Sequence, residues 1–267
     1  MNILAVGAHP DDIEFGCAHV LIQETRRGNR VKLLVLSRGE AASNGTPESR
    51  EAEARAAARL IGAEIEFLDF GGDCHIQQTS ANAHRLALEI RKFQPAIVLA
   101  PHTDENQHPD HAVVGKLVRD ACRFARYGGL APLRDAAPHT ISSLYYYTIT
   151  SEPGAPDIVI DISDVAKDWE ASMLCHASQM KSRGYVDLRL AAARQHEAAQ
   201  LRQALVPRVA EGLERVHLRL RDAQPPLVLA RERDSKVGAH VEVKGGEFDK
   251  HTVVIERVKL VRRPVES

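Results

Sequence analysis

The sequence predicts an α/β fold in which helices flank a mainly parallel sheet. Short apolar runs alternate with helical patterns throughout residues 1–125. Strands separated by helices of this length are typical of βαβ units. Right-handed crossovers then place every loop that follows a strand at one edge of the sheet. We therefore expect a Rossmann-like domain whose functional side chains gather at that edge.

The predicted elements follow from apolar runs and from helical periodicity. The apolar runs predict strands at residues 2–7, 31–36, 65–70 and 96–100. Apolar residues at helical spacing predict helices at residues 13–27, 48–60, 81–93 and 109–124. Gly28 and Gly62 lie just beyond the first two helices, where glycine commonly ends a helix. Farther along, the pattern predicts strands at 144–148 and 158–162 and helices at 165–180 and 188–220, the last of them broken at Pro207.

The C-terminal part of the sequence changes character after the helical patterns. Pro225-Pro226 ends them, and short apolar runs then predict strands at residues 227–230, 239–243 and 252–261. We therefore predict a main domain over residues 1–225 and a small β-rich appendage over residues 226–267. Short strands with unpaired edges can pair across a subunit interface, so we expect a homo-oligomer.

Composition and charge exclude several classes of protein. The 267 residues carry a net charge of −1, which provides no basic face for nucleic acid. No apolar run approaches the roughly eighteen residues that a membrane span needs, and no cleavable leader precedes the first strand. The four scattered cysteines form no C-x-x-C pair and indicate reduced thiols. These features predict a cytoplasmic protein that binds neither nucleic acid nor membrane.

Two His/Asp clusters follow two of the predicted strands. Ala8-His9-Pro10-Asp11-Asp12 comes directly after residues 2–7, and His108-Pro109-Asp110-His111 comes shortly after residues 96–100. In open α/β sheets, ligands bind at the carboxyl ends of the strands where the strand order reverses. We therefore expect the two clusters to converge on one site.

The residue types in these clusters suit a catalytic metal ion. Such a zinc ion takes three ligands from His and Asp/Glu and keeps one position open. His9, Asp12, His108 and His111 are all candidate ligands, and the spacing alone does not decide between His108 and His111. A carboxylate that is not a ligand can act as general base and then as general acid. A further polar group can stabilise the oxyanion, so the sequence predicts a zinc hydrolase.

A nucleotide-binding Rossmann protein is the main alternative for this fold. The turn after the first strand reads Gly7-Ala8-His9-Pro10 and lacks the glycines that a pyrophosphate requires. This absence disfavours a nucleotide cofactor.

The two clusters together resemble the motifs of the PIG-L/LmbE-like zinc deacetylases, from residue 2 to about residue 185. Members of that family remove an acetyl group from N-acetylglucosaminyl compounds. The chain is most similar to the N-acetylglucosaminyl-malate deacetylases of bacillithiol biosynthesis. That finer similarity is carried by residues 39–46, Arg50, Tyr145-Tyr146-Tyr147, Asp161-Ile162-Ser163 and His176-Ala177-Ser178-Gln179.

The resemblance implies a role for each residue of the clusters. It implies zinc ligands at His9, Asp12 and His111, and Fe²⁺ would fit the same donors as Zn²⁺. Asp11 would be the general base and then the acid that protonates the leaving amine. His108 would stabilise the oxyanion, and Asp110 would orient His108.

The resemblance also implies the substrate contacts. Arg50, Asn44 and Asp73 would hold the sugar or its acidic aglycone, and a guanidinium can bind a malate carboxylate through two hydrogen bonds. Another N-acetyl sugar, such as a chito-oligosaccharide or a mycothiol-like precursor, is an alternative substrate. A non-catalytic, metal-stabilised sugar-binding protein is a further alternative, which the presence of all six polar cluster residues disfavours.

Overall fold

The computed structural model describes residues 1–104, 108–149, 158, 160–181 and 184–193, and the backbone of three short strands beyond them. The chain divides into two compact units, Met1–Arg189 and Leu190–Ser267. The predicted domain boundary between residues 225 and 226 lies outside the described residues and stays a prediction.

A five-stranded parallel sheet forms the centre of the first unit. Its strands are β1 (Asn2–Gly7), β2 (Arg30–Val35), β3 (Glu64–Phe67), β4 (Ile97–Pro101) and β5 (Ser143–Tyr147). They are arranged in the order β3-β2-β1-β4-β5, and every neighbouring pair is parallel. The predicted mainly parallel α/β fold is therefore confirmed.

Helices connect these strands and cover the sheet. They are α1 (Asp12–Gly16), α2 (Ala18–Arg26), α3 (Pro47–Ile61), α4 (Ser80–Phe93), α5 (Pro109–Ala125) and α6 (Ala166–Leu174). Short 3₁₀ turns form at Ala131–Leu133 and Gln179–Lys181, and residues 185–193 are helical.

The core explains why the central strands are continuous apolar runs. Helices cover both faces of a parallel sheet, so successive side chains of its strands are buried on alternate faces. In β1, Leu4 and Val6 pack into one cluster with Val98 of β4, Ile90 of α4 and Leu117 of α5. Burial of large aliphatic side chains stabilises such a core by about 1.5–3 kcal/mol each.

The strand order creates a crevice between β1 and β4. From β1 the chain proceeds outward through β2 and β3 on one side, whereas β4 and β5 lie on the other side. The carboxyl ends of β1 and β4 therefore form the switch point at which open α/β sheets bind ligands. Helix α1 begins at Asp12 soon after β1, and α5 begins at Pro109 after β4, so both clusters are delivered to this crevice.

One predicted helix is broken into two. Residues 13–27 were expected to form a single helix, but Cys17, with φ −146°, separates α1 from α2. The ring of Tyr147 lies so close to Gly16 that an added Cβ would be 2.2 Å from its Cδ2 atom. The Tyr147 hydroxyl donates a hydrogen bond of 2.7 Å to the Val6 carbonyl, so this ring occupies the space beside the break.

The predicted strand at residues 158–162 is wrong for the residues described there. Residues 158 and 160–162 are not in a strand. The Asp161 carboxylate instead accepts hydrogen bonds from the Ser163 amide and hydroxyl, at 2.9 and 2.6 Å. Side chains of this kind stabilise turns, and this turn precedes α6.

The second unit contains a small antiparallel sheet. Its strands are β6 (Arg215–Leu218), β7 (Leu227–Ala230) and β8 (Glu242–Lys244), in that order. The strand predicted at 227–230 is confirmed, and the helix predicted through residue 220 is wrong at β6. The strand predicted at 252–261 lies outside the described residues. Within the part of the chain that is described, no helix is both long enough and apolar enough to cross a membrane.

Candidate active site

Three buried side chains form a metal-binding group at the crevice. His9 follows β1, Asp12 is the first residue of α1, and His111 lies in the first turn of α5. Asp12 Oδ1 is 3.0 Å from His111 Nε2, and Asp12 Oδ2 is 3.6 Å from His9 Nδ1. One donor atom from each residue lies within 4.8 Å of the others. Two imidazoles and one carboxylate are a donor set that catalytic zinc accepts, so the residues fit the ion that the sequence predicts.

Asp12 is fixed and charged. Its Oδ2 accepts backbone hydrogen bonds from Ala8, at 2.8 Å, and from His9, at 2.9 Å. Burial by itself would raise the pKa of Asp12, but the charges of His111 and His9 and hydrogen bonds from both rings hold it well below its ordinary value. The carboxylate is therefore in the form that binds a cation.

The far side of the His9 ring faces two carboxylates. His9 Nε2 is 3.0 Å from Asp110 Oδ2 and 3.1 Å from Asp73 Oδ1. A metal-binding histidine commonly donates its second N–H group to a carboxylate, which fixes its tautomer and orientation. Asp110 and Asp73 are thus arranged to orient His9 toward Asp12.

Asp110 was predicted to orient His108, but its carboxylate lies closer to other groups than to the His108 ring. Asp110 Oδ2 is 3.9 Å from His108 Nδ1, and it accepts a hydrogen bond of 2.8 Å from the Cys74 amide in addition to contacting His9. His108 is instead fixed by the backbone, because its Nδ1 accepts the Asp110 amide hydrogen at 3.2 Å.

His108 is consequently available as a hydrogen-bond donor. Because Nδ1 accepts a hydrogen bond, the proton of the neutral ring is on Nε2. Partial burial is the largest cause of a lowered pKa at His108, and the nearby charge of His9 lowers it further. Both effects favour the neutral form. Its side chain is 30% exposed at the crevice, so the Nε2–H group can reach a bound molecule.

Asp11 lies beside the metal-binding group in an unusual conformation. Its φ of 112° is outside the range that residues with a Cβ atom normally adopt, at a cost of about 1–3 kcal/mol. Burial raises the pKa of Asp11 to about 6, outweighing the opposing charge of Arg50. A carboxylate with a pKa near neutrality is suited to accept and return a proton.

Arg50 holds Asp11 from within the protein. Its side chain is 5% exposed. Its Nη2 atom donates to the Pro10 carbonyl at 2.7 Å and lies 3.3 Å from Asp11 Oδ2, and its Nη1 donates to the Gly39 carbonyl at 3.3 Å. Gly39 has φ +72°, and an added Cβ would be 1.7 Å from Arg50 Nη1. The loop can therefore close over the guanidinium only with glycine at this position.

The three residues predicted to contact substrate are placed differently from one another. Arg50 is buried against Asp11, and Asp73 lies against His9 and His108. Asn44 is half-buried in the loop before α3, where its carbonyl accepts a hydrogen bond of 2.9 Å from Gln179. The structure thus brings Arg50 and Asp73 to the centre of the site and leaves Asn44 in the neighbouring loop.

Sequence reasoning missed Cys74, which was interpreted only as a reduced thiol. The left-handed backbone of Cys74, with φ 66°, directs its amide to Asp110. Its Sγ atom lies 3.4 Å from Asp73 Oδ1 and 3.6 Å from His108 Nε2. Its position directly after Asp73 was the only signal in the sequence.

His176 was also missed as part of this region, although it belongs to the His176-Ala177-Ser178-Gln179 motif of the finer family resemblance. It is 0% exposed, and its Nε2 is 3.5 Å from Glu14 Oε2. Two residues later, the Ser178 amide and hydroxyl donate to the Glu53 carboxylate at 2.8 and 2.7 Å. The segment after α6 is thereby tied to α3, the helix that carries Arg50.

Comparison with known proteins agrees with this geometry. Residues 4–122 match the PIG-L family, described as GlcNAc-PI de-N-acetylase. The chain is also 30% identical over 127 residues to the uncharacterized deacetylase YaiS of Escherichia coli (strain K12). That match covers 46% of this chain and 68% of YaiS. The chain belongs to the PIG-L family.

Two further relatives extend the comparison. The 4-oxalmesaconate hydratase of Pseudomonas putida KT2440 is 26% identical over 192 residues, covering 67% of this chain and 74% of the hydratase. The crystal structure of the conserved protein TT1542 from Thermus thermophilus superposes with a TM-score of 0.67 at 32% identity, covering 74% of this chain and 89% of TT1542. One relative of this PIG-L chain is therefore named a deacetylase, and another is named a hydratase.

Proposed function

We propose that this PIG-L chain is a metal-dependent amide hydrolase that removes the N-acetyl group of an N-acetylglucosamine derivative. The observation that carries the proposal is the convergence of His9, Asp12 and His111 beside Asp11, a carboxylate outside that ligand group. The match to a family described as a de-N-acetylase supports the same reaction.

His9, Asp12 and His111 would hold the ion, which we propose is Zn²⁺, with Fe²⁺ accepted by the same donors. When bound, such an ion supplies Lewis acidity, which lowers the pKa of water and polarises a carbonyl oxygen. The protein's own contacts hold these donors in place, because backbone amides fix Asp12 and two carboxylates fix His9.

Asp11 would move the proton in this reaction. Its carboxylate takes a proton from the attacking water as the new C–O bond forms at the amide carbonyl. The same proton then goes to the amine nitrogen as the C–N bond breaks, which releases acetate and the free amine. Arg50 positions this carboxylate through the contact of 3.3 Å to Oδ2.

His108 would stabilise the charge that develops on the carbonyl oxygen. The Asp110 amide occupies Nδ1, so Nε2–H is the group that donates to the oxyanion. Removing one such donor commonly costs about 10²–10³ in turnover.

For the substrate, our most specific proposal is N-acetylglucosaminyl-malate of bacillithiol biosynthesis. Asn44 and Asp73 are the proposed sugar contacts. A contact between Arg50 and a malate carboxylate would require the guanidinium to leave Asp11, so the present contacts favour a positioning role for Arg50. We also propose a cytoplasmic location, supported by four free cysteines, and a homo-oligomeric assembly.

A substrate panel tests this proposal. The panel contains N-acetylglucosaminyl-malate, N-acetylglucosamine and diacetylchitobiose, and acetate is measured with zinc-loaded protein and with chelator-treated protein. We expect zinc-dependent acetate release, fastest with the malate compound. Release from the simpler sugars alone would retain the reaction and refute the malate substrate, and no release from any compound would refute the reaction.

A second candidate function is hydration of an unsaturated polycarboxylate. The similarity to 4-oxalmesaconate hydratase favours it because that match extends over 192 residues. Hydration adds water across a conjugated double bond, so the ultraviolet absorbance of the substrate would fall without release of acetate. Running both assays on the same zinc-loaded preparation distinguishes the two functions.

A further inference from the structure

Three arginines at the C-terminal end of helix α5 line a cavity that lies away from the catalytic crevice. Arg119, Arg123 and Arg126 line a space of about 360 Å³, together with Thr140 from the segment that precedes β5. We propose that this cavity binds a small polyanion, a molecule that carries a phosphate group or two carboxylate groups.

The spacing of the arginines explains why their side chains converge. Residues three, four and seven positions apart lie on one face of an α-helix, and these arginines follow one another at four and three positions. Arg126 directly follows α5 with helical backbone angles, φ −77° and ψ −25°. Cations in the last turn of a helix stabilise its dipole, but Arg119 lies more than one turn before the end of α5. The helix terminus alone therefore does not account for the set.

The lining of the cavity is strongly positive. Its described residues include three guanidinium groups but a single carboxylate, that of Asp120. This carboxylate is shared, because Oδ1 accepts hydrogen bonds from Nε and Nη2 of Arg119 at 3.3 and 3.2 Å, and Oδ2 accepts one from Gln78 at 3.0 Å. Burial raises the pKa of the Cys122 thiol, also in the lining, to about 12. The thiol therefore adds no negative charge that would oppose an anion.

Hydrogen-bond donors in the cavity are available to a ligand. In the described part of the chain, the Arg123 guanidinium bonds only through Nε, which donates to the Tyr127 hydroxyl at 2.6 Å. The Arg126 guanidinium and the Thr140 hydroxyl have no hydrogen-bond partner among the described residues. A guanidinium can bind phosphate or carboxylate through two parallel hydrogen bonds. Arg123 and Arg126 can therefore each bind two oxygen atoms of one polyanion.

The volume and position of the cavity indicate a small ligand that does not occupy the catalytic site. Pockets for small molecules commonly measure about 300–1,000 Å³, and this cavity lies near the lower end of that range. At a rise of about 1.5 Å per residue, Arg119 lies about 12 Å and Arg126 about 22 Å along the helix from His111. The proposed site is therefore independent of the proposed deacetylation.

Isothermal titration calorimetry of the full-length, zinc-loaded protein tests the site without any assay of activity. The probes are glucose 6-phosphate and succinate at constant ionic strength, and they distinguish a phosphate ligand from a dicarboxylate. We expect saturable binding of at least one probe. The affinity should fall as sodium chloride is added, because salt screens exposed charges.

Four variants locate the binding. Arg123→Gln and Arg126→Gln should each weaken it at least about tenfold, because charge-assisted hydrogen bonds are lost. Arg59→Gln is the matched control, since Arg59 is an exposed arginine in the last turn of α3, and it should keep the wild-type affinity. His111→Ala should also keep that affinity although it disrupts the catalytic group.

Three results would overturn the proposal, whatever the outcome of the deacetylation assay. They are the absence of saturable binding of either probe, an unchanged affinity in folded Arg126→Gln, and an equal loss of affinity in Arg59→Gln.

Discussion

Replacing Gly39 with alanine tests whether the loop around Arg50 supports both stability and catalysis. The new Cβ would lie 1.7 Å from Arg50 Nη1 and 2.4 Å from Cζ, so the guanidinium has to move. A left-handed residue with a Cβ atom costs about 1–2 kcal/mol, and loss of one hydrogen bond of a charged group costs about 1.5–3 kcal/mol. Gly39→Ala should therefore lower the free energy of unfolding by about 2.5–5 kcal/mol.

Gly28→Ala provides the matched control for this prediction. Gly28 has φ +82°, close to the value at Gly39, but nothing lies within 4 Å of an added Cβ. It should cost only the conformational part, about 1–2 kcal/mol, in urea unfolding. Acetate release should fall in Gly39→Ala, because Arg50 no longer positions Asp11, and should be retained in Gly28→Ala. Equal losses of stability and activity in the two variants would refute the reasoning.

Three other changes probe the site and helix α2, which contains His19. Asp11→Asn should lower kcat by about 10²–10⁴ with an unchanged metal content by elemental analysis, and a near-wild-type rate would contradict its role as base. His111→Ala should lose the catalytic metal ion, and full metal content after dialysis would contradict the ligand assignment. Burial beside Trp169 is the main cause, and the charge of Arg189 a smaller one, that lowers the pKa of His19 to about 4. Because the unfolded chain binds this proton more readily, stability should fall by about 2–3 kcal/mol as the pH falls from about 6.5 to about 4. His19→Gln should remove that part of the loss in urea unfolding at different pH values, and an unchanged pH profile would contradict it.

The strands of the central sheet and the meeting of the two clusters could be predicted from the sequence. Continuous apolar runs identified β1 and β4, and the rule for ligand positions in open α/β sheets placed His9 and His111 together. The break at Cys17 could not be predicted in this way. It lies beside the ring of Tyr147, a residue of the distant strand β5.

Side-chain partners within the site were harder to predict than its location. The partner of Asp110 depends on the loop that brings the Cys74 amide to its carboxylate, and helical spacing contains no information about that loop. Likewise, Arg50 has the pattern of an exposed helix residue, yet the positive φ of Gly39 lets the loop enclose it. Both contacts depend on tertiary structure rather than on local sequence.

The central claim is that Asp11 and a metal ion held by His9, Asp12 and His111 hydrolyse an N-acetyl group. The most direct measurement quantifies both acetate and free amine formed from an N-acetylglucosamine derivative by zinc-loaded wild-type protein and by zinc-loaded Asp11→Asn. We predict equal amounts of the two products from the wild-type protein, loss of both after chelation, recovery with added zinc, and a large decrease in the variant. Product formation that is unaffected by chelation or by Asp11→Asn would contradict the account.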